Sequence, residues 1–247
     1  MRRKLIWILA CSLLAFSTCY SQNKIALSVY AGSGVSYFRG SGAVSQSDYH
    51  RNGLIFPNAV DSMANHFGRN AGGNFLAGLQ LEYPVSKKWS LLLNTQYEHT
   101  GAALKADSVI TPGGNFKTDG DYRINYFFVS INPQLARLFE KGNTRISIHS
   151  GFEYSLGINW SDQFDFLDQT GKKFSIGHSG GDPEVNDFRF SIGTTVQINK
   201  WGLGINYKHG LSNFNKGHSD KALMRLLQMK ISYLLFGKFQ TITPKIP

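Results

Sequence analysis

Gly177-His178-Ser179-Gly180-Gly181 spells the G-x-S-x-G pattern in which a strained turn presents a nucleophilic serine. That turn needs a strand before it and a helix after it. Asp182-Pro183-Glu184 follows instead, so the match is a compositional accident in a loop. His50, His66, His178 and His218 fall in loop segments without metal-ligand spacing. Asp162, Asp165 and Asp168 recur every three residues but lack the glycine and terminal glutamate of a calcium loop. His149 and Glu153, four apart, share a strand face. As an acid–base pair they would need a hydroxyl nucleophile and a route for substrate; an interior hydrogen-bond network is the simpler reading. No cofactor motif is present, and no catalytic, cofactor or metal site is expected.

The elements that carry these residues repeat with period two. From Arg145 to Trp160, Ile146, Ile148, Phe152, Tyr154, Leu156, Ile158 and Trp160 share one face, interrupted only by Ser150. A helix would repeat every ~3.6 residues, so this is a strand. Phe188–Asn199 and Trp201–Ser212 alternate in the same way. Weaker versions cover Ile25–Phe38, Asn74–Tyr83, Trp89–Thr100, Tyr122–Phe139 and Leu223–Phe236, which makes eight strands. In the fourth, Tyr126-Phe127-Phe128 breaks the alternation and suggests a bulge.

Pro84–Lys88, Glu140–Asn143 and Asn199-Lys200 are tight turns, whereas Gly40–Gly73, Gly101–Asp121, Ser161–Asn186 and Asn213–Lys221 are long. Short turns on one side and long polar loops on the other predict an all-β fold: an eight-stranded antiparallel up-and-down transmembrane β-barrel. Trp89 and Trp201 sit at the turn end of the apolar face, with Tyr83 and Tyr233. Trp160 is expected at the loop end, with Tyr37, Tyr97 and Tyr207. Two aromatic girdles mark two membrane interfaces.

The N-terminus agrees with export. Arg2, Arg3 and Lys4 precede an apolar run, Leu5–Phe16, and a small polar region, Ser17–Ser21. This is the plan of a signal peptide over residues 1–21, with cleavage expected after Ser21. The apolar run is shorter than the ~20 residues a spanning helix needs. Cys11 and Cys19 are the two cysteines, and both lie in this segment, so disulfides, zinc–thiolate sites and a cysteine nucleophile are not expected in the mature chain. Thr18 before Cys19 disfavours lipoprotein processing. Residues 22–236 form the expected barrel and 237–247 a periplasmic tail.

Inside the barrel the polar face carries charges of both signs. Glu82 and Arg145 fall at the periplasmic end, Glu153 and Lys230 near mid-height, and Glu98, Arg189 and Lys208 toward the outer end. A buried charge is costly unless paired, so cross-lumen pairing is expected at these three levels. Eight strands enclose a space that side chains can fill, so the lumen should be plugged.

The signal ending in Tyr-Ser-Gln, the strand pair INPQLARLFEKGNTRISIHSGFEYSLGIN and the terminal RLLQMKISYLLF resemble Bacteroidota-type small outer-membrane β-barrels, the PorT-like and OmpX-like proteins. The resemblance spans roughly Ile25–Phe236 and lies in pattern and turn placement. It implies residence in the cell outer membrane and insertion by the outer-membrane assembly machinery through a terminal strand. A PorT-like place in a protein secretion or envelope complex is open to such a chain. The 11 residues after Phe236 depart from the family habit of ending on the terminal aromatic.

Across its 247 residues the chain has a net charge of +10, which would ordinarily raise nucleic acid as a partner. Without Arg2, Arg3 and Lys4, 23 basic residues face 16 acidic ones, a net of +7. Lys24, Lys87, Lys88, Arg137, Lys141, Arg145, Lys200, Lys238 and Lys245 lie near the periplasmic rim against Glu82 and Glu140. That ring suits anionic lipid headgroups and is no argument for nucleic acid. The expected partners are outer-membrane lipids and an envelope protein. The expected function is non-catalytic: a plugged barrel that is structural or binds through its external loops. The competing expectation is an enzyme acting on lipid or lipopolysaccharide, with Ser179 beside His178 or His218.

Overall fold

The computed structural model describes residues 25–50, 62–111, 114–167, 170–180, 185–215 and 219–237. The signal segment, most of the tail, Asp168 and His218 lie outside them. Among the described residues there are eleven strands: β1 (Ala26–Arg39), β2 (Gln46–His50), β3 (Ser62–Met63), β4 (Asn70–Pro84), β5 (Trp89–Thr111), β6 (Gly114–Lys141), β7 (Thr144–Leu167), β8 (Lys173–Gly180), β9 (Asn186–Ile198), β10 (Trp201–Gly210) and β11 (Leu223–Phe236). Eight of them close a ring in the order β1-β4-β5-β6-β7-β9-β10-β11. Every pairing in the ring is antiparallel, including the closure of β1 on β11. Closure removes the exposed edge that an open sheet would leave.

The ring strands coincide with the eight predicted ones, and their turns are tight. The β6–β7 hairpin turns through Gly142, whose positive φ of 60° suits a residue without Cβ, and β9–β10 through Asn199 at φ 53°.

Three strands run past their predicted ends. β5, β6 and β7 continue through segments expected to be loops, and β8 pairs with the upper part of β7. Gly101–Asp121 and Ser161–Asn186 are therefore largely strand. Together with β2, which pairs parallel to β5, and β3, they build a six-stranded blade, β3-β2-β5-β6-β7-β8, standing above the barrel.

Sidedness reverses between barrel and blade. In the barrel the outward residues are apolar and exposed, such as Leu91, Leu93 and Tyr97 on β5 or Val129, Ile131 and Leu135 on β6. In the blade Leu104, Ala106, Val109, Tyr122, Ile124, Phe164 and Phe166 point inward and are buried. On β7 one extra residue makes the change: Phe127 opposes Asn159 and Phe128 opposes Gly157, so Ile158 is bulged. The expected bulge is at this level but on the partner strand; β6 keeps its alternation, with Tyr126 and Phe128 both inside.

That bulge corrects the expectation for Trp160. Beyond it, even-numbered residues of β7 point inward, and Trp160, opposite Tyr126, packs on the interior aromatic cluster. It is not a girdle residue.

Candidate functional site

The interior has two storeys. In the lower one the predicted charges are all buried: Glu82, Arg145, Glu98, Glu153, Arg189, Lys208 and Lys230. Arg145 pairs with Glu82, which also accepts a hydrogen bond from Ser90 Oγ at 2.8 Å. Higher up, Arg189 Nη1 pairs with Glu98 and with Glu153 Oε1 at 3.0 Å. Lys208 Nζ reaches Glu98 Oε2 at 2.8 Å and Glu153 Oε2 at 2.7 Å. Gln96 and Gln228 donate to Glu98, and Asn132 and Ser155 donate to Glu153. A carboxylate so surrounded has its lone pairs met without water.

Two parts of the expected pairing change. Glu153 joins the outer cluster instead of pairing with Lys230 at mid-height. Among the described residues Lys230 makes no ion pair; its ammonium lies 5.0 Å from the centroid of the Tyr30 ring, a cation–π contact. The second change is an addition. Asp187 accepts from Arg189 Nε at 2.5 Å and is fully buried. Sequence reading started that strand at Phe188, two residues after β9 begins. The signal was the continued alternation Asp187, Arg189, Ser191.

His149 Nε2 lies 2.7 Å from Asn206 Oδ1, and Glu153 is held by the cluster, so the two do not form an acid–base pair. The remaining space among Asn94, Gln96, Asn132, Gln134, Ser191, Asn206, Lys208 and Lys230 is about 10 Å³. That is about one water's worth. At this level side chains of the described residues fill the interior.

The upper storey is apolar. Arg189 marks the boundary, its guanidinium 4.9 Å from the Phe128 ring centroid. Above it Phe38 meets Phe214 at 5.1 Å and Phe67 at 5.2 Å, and Tyr49 stacks on Phe164 at 4.2 Å. Tyr49, Met63 and Phe67 come from the connection between β1 and β4, and Phe214 from that between β10 and β11. Loops fold inward as a stopper that the polar lumen expected from sequence did not include.

At the mouth a chain of polar groups crosses the stopper. Tyr122 Oη donates to Asp162 Oδ2 at 2.8 Å and lies 3.4 Å from His66 Nδ1, while Asp162 Oδ1 meets His178 Nδ1 at 3.1 Å. Burial pushes the Tyr122 hydroxyl above its ordinary range and the His66 imidazole below its own, the latter opposed by the charge of Asp162.

Ser179 does not join His178. They are consecutive on β8 and face opposite sides of the blade. β8 continues through Gly180 as strand, so the G-x-S-x-G turn is absent. Among the described residues no group of three or more His, Cys, Asp or Glu could hold a metal ion.

The remaining predicted aromatics face outward. Trp89, Tyr83, Tyr97 and Trp201 are exposed, and Tyr207 and Tyr233 are half-buried. Trp201 packs edge-on to Tyr233 at 4.8 Å, with Lys200 Nζ 6.0 Å from the tyrosine ring.

Two solved structures align with this chain at low identity. Neisserial surface protein A, NspA, aligns over 84% of this chain and 96% of its own at 11% identity, with a TM-score of 0.36. Ail, the attachment invasion locus protein of Yersinia pestis, solved with the heparin analogue sucrose octasulfate, aligns over 85% and 99% at 11% identity and a TM-score of 0.31. No family model and no curated protein matches the chain. The eight-stranded antiparallel barrel rests on its own strand pairing.

Proposed function

We propose that this chain is a non-catalytic outer-membrane β-barrel that binds a protein partner through its external blade. The observation that carries the reading is the reversal of the apolar face along β5, β6 and β7. Exposed apolar side chains girdle the barrel, among them Leu203 at 52% and Ile231 at 57% exposure. A patch of that extent belongs in hydrocarbon. In the blade the same strands turn polar residues outward, as an element standing in water must. Export by a signal peptide cleaved after Ser21 and a place in the cell outer membrane go with this reading.

The blade offers a specific surface. Among the described residues β8 pairs with β7 on one side only. After Lys173 at its start, the run Phe174-Ser175-Ile176-Gly177-His178-Ser179-Gly180 has no Lys, Glu or Pro to guard the edge. An extended segment of a partner adds there as a further strand and covers the half-exposed Phe174 and Ile176. Membership of a larger envelope assembly, as the PorT-like resemblance implies, would use this contact.

The test is a photo-crosslinking residue at Ser175 in intact cells, with and without the guard charges Gly177→Lys and Ser179→Lys. The expected result is a discrete crosslinked protein that disappears with the guards while the barrel keeps its heat-modifiable gel mobility. An unchanged crosslink would remove the edge from the proposal.

A further inference from the structure

Ser150 is the one polar residue interrupting the apolar face of β7, and the function above leaves it without a role. The register places it in a row. Tyr83, Leu91, Leu135 and Ser150 are successive cross-strand partners on β4, β5, β6 and β7. In the next row up, Leu81, Leu93 and Pro133 are partners. Phe152 of β7 joins them. One row down lie Trp89, Arg137 and Ile148. All face outward within the apolar belt.

The wall is dented between the first two rows. Ser150 and the Pro133 ring are smaller than the leucines and aromatics around them, and Gly151 lets the strands close up: a Cβ there would sit 2.0 Å from the Pro133 carbonyl oxygen. The resulting groove holds about 490 Å³ and is lined chiefly by Leu81, Leu91, Leu93, Pro133, Leu135 and Phe152. Among the described residues Ser150 Oγ has no hydrogen-bond partner, a cost for a hydroxyl facing hydrocarbon.

The foot of the groove is cationic. The Arg137 guanidinium is held between the Trp89 and Phe139 rings, 5.8 and 5.4 Å from their centroids. Among the described residues it has no carboxylate partner. Lys87 and Lys88 stand exposed in the adjoining β4–β5 turn. Ser150 stands one row above Arg137, about 7 Å at ~3.4 Å per residue.

We infer that this wall seats one anionic diacyl phospholipid of the periplasmic leaflet. Its phosphate lies on Arg137, with Lys87 and Lys88 beside it. An ester carbonyl accepts from the Ser150 hydroxyl, and an acyl chain fills the groove. The charge at the foot selects a phospholipid over a second copy of this chain, whose own Arg137 would repel it in a groove-to-groove contact. The inference rests on the membrane reading and adds a defined site to it.

Native mass spectrometry of the refolded barrel in detergent tests it, with phosphatidylglycerol or phosphatidylcholine added. Heat-modifiable mobility is checked on each sample. Wild type should retain one phosphatidylglycerol in preference to phosphatidylcholine. Arg137→Gln should cut retention about tenfold, as loss of one charge-assisted hydrogen bond predicts. Ser150→Phe, which fills the groove, should abolish it, and Leu203→Phe on β10, across the ring from the groove, should leave it unchanged. Equal retention in every variant means annular lipid only and overturns the site. A dimer lost with Ser150→Phe means a second copy occupies the groove and overturns it too. A wild-type chain that stays soluble without detergent and shows no heat-modifiable band would instead refute the membrane reading.

Discussion

Arg189 on β9 forms an ion pair with Glu98 on β5 across the inside of the barrel, with β6 and β7 between them on the wall. Both side chains are fully buried. The contact ties opposite walls together and sits where the polar lumen gives way to the aromatic stopper. Arg189 also holds Glu153 and Asp187, so one cation serves three carboxylates.

Removing that cation leaves Glu98, Glu153 and Asp187 with Lys208 as the remaining cation in contact with the cluster. Arg189→Met should therefore destabilise the barrel by about 3–5 kcal/mol, the usual cost of breaking a buried pair from one side. Urea unfolding in detergent, followed by the heat-modifiable band, reads this. Arg189→Met combined with Glu98→Gln should recover part of the loss. A neutral single variant would show that the network carries no stability.

The bulge at Ile158 puts Trp160 inside, whereas Trp89 and Trp201 face out. Single-Trp variants in bilayers of brominated lipid should show strong quenching for Trp89 and Trp201 and little for Trp160. Comparable quenching at Trp160 would mean that β7 keeps one parity throughout.

A lumen filled by the ion network below and by Phe38, Phe67, Tyr126 and Phe214 above should not conduct. Planar-bilayer recordings of the refolded protein are expected to show no large, stable open state. Sustained conductance of porin size would refute the plug.

His66 docks the first external connection against Tyr122, and burial lowers its pKa from the ordinary 6.5. The unfolded segment then takes up a proton at higher pH than the docked one. Docking is unaffected well above 6.5 and weakens as pH falls through it, levelling off once the docked imidazole is itself protonated. The hydrogen-exchange protection of residues 62–68, taken relative to the intrinsic exchange rate at each pH, should fall on acidification in wild type. His66→Phe should flatten that response; an unaltered response would place the titration elsewhere.

The eight ring strands were legible because each has one apolar outward face and one face on a polar interior, which writes a two-residue period into the chain. Glu82 and Arg145 could be matched by height alone, since strand direction and turn position fix how far each residue stands from the rim. Lys230 could not. Several acids lie within its reach, and which cation takes Glu153 depends on side-chain packing across the lumen.

The sequence by itself determined the barrel, its strand number, its outward aromatics at the turn end and the burial of its charges. These follow from local alternation and turn chemistry. The blade, the stopper and the inward turn of Trp160 were decided by tertiary structure. Past the apolar belt the outward face of the wall turns from apolar to polar. The apolar face must then swap sides: a single bulged residue makes the swap on β7, whereas β5 and β6 keep their parity there and their inward residues change from polar to apolar. Period two reads the same on either side of such a bulge; only the paired strand shows which face has become the inside.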